Sequence, residues 1–416
     1  VRSGSVRGLL PGALLLLLAL ATPRPAEAQI SLVEGEEFRL GIGGYLRSVT
    51  GVHDAGYDLP VGDRRSAFNS EVLRLEWSAR LGDRVHVEVH DRVQARVSTT
   101  TGGLGSPVAG IGVSAVPGRA VDLASQWIDD ERLQLWHDVD RLAVTVYTPA
   151  ADVTVGRQAV TWGMAQLFPV ADLWSRFSPY ELDTEQKPGV DAVRALAYPA
   201  DGLEVDAVVA DRGDQDDVSA GVRATLGLPS GDVYLAGGRL WNEALAVAGA
   251  SWLLQSVKLR AEAAAGRDLD TDRWLDPRAT LGADWLRGQI TLSGELHFNG
   301  AGARGPTGYL DQLRSETFAR GESYYLGRWY AGVAASWTPD RAERWRLGGS
   351  ALLNLEDGSG ALSPVLTWDV GAATTVSLGG LITAGETPRF VAPVPRLRSE
   401  YGTYGDLGYT RLSIYF

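Results

Sequence analysis

The sequence predicts an all-β fold, a transmembrane antiparallel up-and-down β-barrel of about 18 strands. Three observations carry this expectation. Apolar and polar residues alternate with a period of two over stretches of about ten residues or more, which is strand periodicity and exceeds the length usual in soluble sheets. Tryptophans gather near the ends of those stretches, at Trp241, Trp252, Trp274, Trp285, Trp329, Trp337 and Trp368, as the interfacial girdles of a membrane barrel require. The last stretch, Tyr409 to Phe416, alternates Leu412, Ile414 and Phe416 with Arg411 and Ser413 and stops on an aromatic residue.

Taken in order, the chain opens with Arg2 and Arg7, an apolar run from Leu9 to Ala21, and Ala26-Glu27-Ala28 ahead of Gln29. A positive start, a short apolar core and a small-x-small site read as a secretory signal peptide over residues 1–28. The apolar run is too short to span a bilayer comfortably. Residues 29–416 are then expected to form a single barrel domain. The chain has no cysteine, so neither disulfides nor thiolate metal sites contribute. Removing the leader takes three arginines and one glutamate from 39 basic and 51 acidic residues and leaves a net charge of −14. Such acidity argues against nucleic acid as a partner.

From Glu71 the alternation is plain. Leu73, Leu75, Trp77, Ala79 and Leu81 share one face, and Arg74, Glu76, Ser78 and Arg80 share the other. After the turn Gly82-Asp83 it restarts with Val85, Val87, Val89 and Val93 against His86, Glu88, His90 and Arg92. Later segments repeat the pattern. The expected strands are 37–49, 69–81, 84–98, 131–148, 151–162, 189–199, 203–211, 217–227 and 232–242, then 245–254, 256–267, 275–286, 289–299, 323–337, 344–356, 360–370, 374–386 and 405–416. A soluble sandwich would turn the apolar face inward, and a membrane barrel turns it outward. The many alanines and glycines on that face bury too little area for a soluble core and are tolerated against lipid.

The count is even, as a closed bacterial barrel needs. Long connections follow the first, third, fifth, thirteenth and seventeenth of these strands, whereas Gly82-Asp83, Pro149-Ala150 and Arg287-Gly288 are tight turns after even-numbered ones. Long loops therefore collect at one end, the extracellular end if the N-terminus is periplasmic. One hairpin fewer preserves the parity, so a count of about 16 satisfies the same pattern.

The polar face is expected to line the lumen. It carries Arg74, Arg92, Arg96 and Arg260 against Glu88, Glu262 and Glu295, close to balance. Charges on opposite walls sort solutes. Paired across neighbouring strands, they stiffen the wall instead.

The connection after the fifth strand stands apart. Between Val153 and Tyr198 the chain leaves a strand, runs through roughly 25 residues of no regular period, and resumes as a strand. Trp162, Phe168, Trp174 and Phe177 are too many aromatics for a floppy linker. Arg157 shares a face with Val153 and Val155 and should not meet lipid, so either a bulge at Gly156 re-aims it or it lies at the rim. Folded into the mouth, residues 163–188 would narrow the pore, with Arg157, Gln158, Asp172 and Arg176 as constriction residues. Folded outward, they would form a cap.

Gly156-Arg157-Gln158, Trp162-Gly163, Asp172-Leu173-Trp174 and Pro179 resemble the strand-to-loop signature of porin-like outer-membrane proteins related to the alginate-export group. The resemblance implies passive or export-type passage through a barrel of about 18 strands. The strand ending at Phe416 likewise resembles the terminal signal of bacterial outer-membrane barrels. It implies the barrel assembly machinery and outer-membrane lipid as partners.

Enzymatic readings find little support. His86, Glu88 and His90 share one face at steps of about 7 Å, too far apart for one metal. No phosphate-binding glycine loop or cofactor motif appears. The expected function is a non-enzymatic channel in the bacterial outer membrane for small hydrophilic solutes, without metal or cofactor and compatible with a homo-oligomer. The alternative is a closed barrel that binds, exports or assembles surface polysaccharide.

Overall fold

The computed structural model describes residues 30–416 apart from 59–62, 100–117, 131, 176, 178–184, 214–217, 340–343 and 392–393. The expected leader and Arg176 lie outside the described residues. In chain order the strands begin with β1 (Ile30–Glu34), β2 (Phe38–Asp54), β3 (Arg65–Leu81), β4 (Val85–Ser98), β5 (Ala124–Asp129), β6 (Leu133–Tyr147), β7 (Asp152–Gln158) and β8 (Val190–Ala200). They continue with β9 (Leu203–Asp211), β10 (Val218–Leu228), β11 (Gly231–Leu240), β12 (Glu243–Leu254), β13 (Val257–Asp268), β14 (Arg278–Arg287) and β15 (Ile290–Asn299). The remainder are β16 (Trp329–Trp337), β17 (Trp345–Asn354), β18 (Gly360–Gly371), β19 (Thr374–Ala384), β20 (Arg389–Val391), β21 (Val394–Arg396) and β22 (Asp406–Tyr415).

Eighteen of these, β2 to β4, β6 to β19 and β22, pair antiparallel in sequence, and β22 pairs with β2. Closure leaves no long open edge for another chain to extend. All eighteen expected strands are present in the expected order, so the count is 18 and not 16. The other strands are accessory. β1 runs beside Arg39–Ile42 of β2, below the last residue with which β22 pairs. β5 pairs with Gln134–Asp138 of β6, above the level that β7 reaches. β20 and β21 form a small hairpin of their own.

Several boundaries differ from expectation. The first hairpin is taller, because β2 runs on to Asp54 and β3 starts at Arg65. β7 stops at Gln158 instead of 162, where the chain leaves the wall. β16 begins at Trp329 instead of 323, and the connection before it holds two short helices, Tyr309–Leu313 and Glu316–Ala319. Ser315 caps the second by accepting from the Phe318 N–H at 3.3 Å.

Burial is inverted relative to a soluble protein. Leu235, Leu281 and Leu378 are 69%, 60% and 59% exposed, whereas Arg74 and Asp206 are buried. A continuous band of such apolar side chains is stable only against lipid. No helix among the described residues is long and apolar enough to cross a membrane. Trp252, Trp337, Trp345 and Trp368 stand partly exposed near the tight-turn end. Trp345 and Trp368, cross-strand partners, stack at 5.2 Å.

Candidate functional site

The site begins where β7 ends. Gly156 sits at φ 116°, and a Cβ there would lie 2.1 Å from the Leu142 carbonyl oxygen. Only glycine allows that kink. The register of β6 against β7 is unbroken, so no bulge re-aims Arg157, and the rim alternative is the one the structure takes. Arg157 is covered by the segment before β5 and donates to Asp191 through Nε at 2.7 Å and Nη2 at 3.0 Å. Its Nη1 donates to the Val139 carbonyl at 2.8 Å, and Asp191 also accepts from the Val121 N–H at 3.0 Å. Gln158 Nε2 donates to the carbonyls of Thr154 and Ala192, each at 3.2 Å. These two residues clasp the point of departure. Gly156→Ala should therefore cost about 1–3 kcal/mol in backbone strain before the collision is counted. A urea unfolding midpoint in detergent indistinguishable from that of the unmodified protein would contradict this.

Beyond Gln158 the chain turns into the barrel. Val160, Trp162, Val170, Ala171 and Trp174 pack on the inward residues Ala192, Val208, Ala210, Tyr234, Ala236, Val247 and Ala264. Trp162 and Trp174 meet edge to face at 5.2 Å. These inward alanines thus form a seat for the loop. Phe168 stacks on His297 at 5.2 Å and lies 5.1 Å from the Tyr325 ring.

A segment without secondary structure carries unpaired backbone N–H groups, and buried ones need acceptors. Two wall carboxylates supply them. Glu295 on β15 accepts from the N–H groups of Gln166 at 2.7 Å, Leu167 at 3.0 Å and Phe168 at 2.9 Å. Glu262 on β13 accepts from the N–H groups of Met164 and, at 3.4 Å, Val170, and from the Tyr234 hydroxyl at 2.8 Å. Arg260 stands between them. It pairs with Glu295 at 2.8 Å and Asp284 at 2.7 Å and donates to the Met164 carbonyl at 2.6 Å. Trp162 Nε1 donates to Asp206 at 2.8 Å, and Arg194 holds that carboxylate from the other side.

The sequence-derived candidates divide into two groups. Arg157, Gln158, Asp172, Arg260 and Glu262 come together around the loop, and Asp172 is paired with Lys187. Arg74, Glu88, Arg92 and Arg96 lie on β3 and β4. Arg74 is buried, with Nη1 and Nη2 donating to Asp140 at 2.7 and 2.9 Å and Nε to Glu76 at 2.7 Å. Glu88, Arg92 and Arg96 are half-buried, and Arg96 lies over the Phe68 ring. The returning limb of the loop reaches β2, where Glu185 meets Arg47.

Strand alternation did not single out Arg47, Asp140 or Glu400, and it places Asn354 on the polar face without a task. Asp140 hides behind a register shift in the β4–β6 ladder that breaks the period of two. Glu400 lies in the connection before β22, where no period exists. It is fully buried, with Oε2 accepting from the Tyr330 hydroxyl at 2.5 Å and Asn354 Nδ2 at 2.6 Å. Its own N–H donates to Asp357 at 2.8 Å.

Burial pushes the Glu400 carboxyl up to about 7 from its ordinary 4.5. The folded state therefore holds a proton that the undocked segment gives up, so docking weakens as pH rises from about 4.5 through 7 and is constant above. The total is on the order of 3 kcal/mol. Trypsin cleavage after Arg398 should match that of Glu400→Gln at pH 5 and be faster at pH 8. Equal rates at pH 8 would contradict the assignment.

No protein-family model matches this chain, and no curated protein matches it. Solved structures do. OccAB2 of Acinetobacter baumannii aligns with a TM-score of 0.57 over 92% of this chain and 99% of its own, at 8% identity. OccAB3 of the same organism gives 0.55 over 91% and 99%, at 9% identity. OpdK of Pseudomonas aeruginosa, solved with vanillate, gives 0.52 over 91% and 98%, at 12% identity. In fold, this chain is similar to the Occ and Opd outer-membrane porins, as a closed antiparallel barrel of 18 strands.

Proposed function

We propose that the protein is a channel of the bacterial outer membrane for passive passage of small hydrophilic solutes, with residues 163–188 as its constriction. The observation that supports this best is the loop fastened by its backbone to Glu262 and Glu295 inside a closed barrel with an apolar exterior. The mechanism is selection by width and by polar groups on the walls, without chemistry. Several wall charges of both signs are paired, as in Arg74 with Asp140, Arg223 with Glu204 and Arg260 with Asp284. Ion preference should accordingly be weak. On this reading the leader of residues 1–28 directs export, residues 29–416 are one domain, and the strand ending at Phe416 is the assembly signal. The Gly156-Arg157-Gln158 signature keeps kinship to the alginate-export group within the proposal.

Purified protein in a planar bilayer tests it. Stepwise conductance with a reversal potential near zero in a salt gradient is expected. Deleting Ala165 to Lys187 should raise the step size severalfold, and an unchanged step would refute the constriction. A barrel that is silent yet heat-modifiable would overturn the channel in favour of the surface-polysaccharide alternative. Vanillate, with which OpdK was solved, is a suitable first solute for current-block measurements.

A further inference from the structure

We propose that the mouth of the barrel holds a binding site for a neutral sugar ring, with Glu243 as its main hydrogen-bond acceptor. This deepens the channel reading and rests on it for the site's place on the solute's route. The site is a cavity of about 240 Å³ at the end carrying the long connections, between the inward faces of β12, β14 and β15 and the two short helices before β16. Glu243, Asp276, Arg278, Asn299, Trp274 and Phe318 are among its lining residues. Its volume lies below the roughly 300 Å³ at which drug-sized sites begin, and suits a single ring.

Glu243 shares the inward face of β12 with Leu245 and Val247 and is 8% exposed. Among the described residues its carboxylate has no hydrogen bond and no ion pair, and it opens onto the cavity. A desolvated carboxylate without a donor is costly, so Glu243 calls for a partner from outside the protein. Neighbouring cations are committed elsewhere. Arg278 donates to the Glu322 carbonyl at 3.3 Å, and Arg320 pairs with Glu316 at 3.0 Å and donates to Asn242 at 3.0 Å. Asn299 uses Nδ2 on the carbonyls of Tyr325 and Gly327, which leaves Oδ1 as a further acceptor. Glu243 is therefore an acceptor in this cavity that no donor of the protein reaches among the described residues, and a ligand hydroxyl group provides one.

Charge and shape narrow the class. Glu243, Asp276 and, close to Glu243, Glu322 and Asp268 repel anions, whereas Arg278 in the wall and Arg320 close to Glu243 offset part of that charge and disfavour a cation. A neutral ligand avoids the repulsion that groups of either sign would meet. Trp274, 80% exposed at the lip, and Phe318 offer flat apolar faces for the C–H face of a pyranose.

The test is saturation-transfer NMR on the full barrel in a sugar-free amine-oxide detergent, with methyl α-D-glucopyranoside and methyl β-D-galactopyranoside as probes and n-butylammonium and benzoate as charged controls. Saturable binding of at least one glycoside is expected, weakened about tenfold or more by Glu243→Ala and also weakened by Trp274→Ala. The Trp274 side chain is exposed, so that variant carries the test if the Glu243 variant fails to fold. No saturable glycoside binding, binding unchanged in the folded variants, or preference for either charged control would each overturn the site. Binding in micelles needs no conduction, so a silent bilayer would overturn the channel without touching this result.

Discussion

Replacing Glu262 and Glu295 together by glutamine is expected to raise single-channel conductance severalfold and to make the current noisy. Glu295 receives three successive backbone N–H groups and Arg260, and Glu262 receives two more N–H groups and the Tyr234 hydroxyl. Hydrogen bonds to an ionised acceptor contribute about 1.5–3 kcal/mol each. A glutamine has one acceptor oxygen in place of two and turns an NH₂ group towards donors. The loop would retain the packing of Trp162 and Trp174 but lose the contacts that fix Met164 to Val170. Tyr234→Phe is the control, because it removes one bond to Glu262 and none to the loop backbone. Conductance equal to that of the unmodified channel, with equal resistance of the loop to protease, would contradict the fastening role.

Arg74→Ala is expected to destabilise the barrel by about 3–5 kcal/mol, because it leaves a buried carboxylate uncompensated. Arg74 is 1% and Asp140 4% exposed, and the two join β3 to β6 across β4. The urea midpoint in detergent should fall. Adding Asp140→Asn in that background should recover part of the loss, since the cost lies in the orphaned charge more than in the missing attraction. Additive effects of the two substitutions would show that the pair does not interact.

Much of the architecture was legible because its cause is local. A period of two places every second side chain on one face whatever the rest of the chain does. The run from Leu73 to Val97 therefore announced two strands, and repetition announced the barrel. The departures lie at strand ends. β7 ends four residues early, just past the kink at Gly156, and β16 starts six residues late, after a connection whose short helices alternation does not register. The residues of the loop were legible as a set, yet their tasks were not. Arg157 and Gln158, read as constriction candidates, also clasp the base of the loop, a task no local pattern announced.

By itself, then, the sequence determined the strand order and an even count of 18 or 16, the apolar exterior, the end at which long connections gather, and the stretch that breaks the pattern. The tertiary structure alone decided that this stretch turns inward, that Glu262 and Glu295 hold its backbone, and that Glu243 is left facing a cavity. The reason is distance along the chain. Met164 meets a carboxylate 98 residues away and Gln166 one 129 residues away. Contacts of that range depend on the closure of the barrel and on which small inward residues leave room for a tryptophan pair, and neither is encoded in any local period.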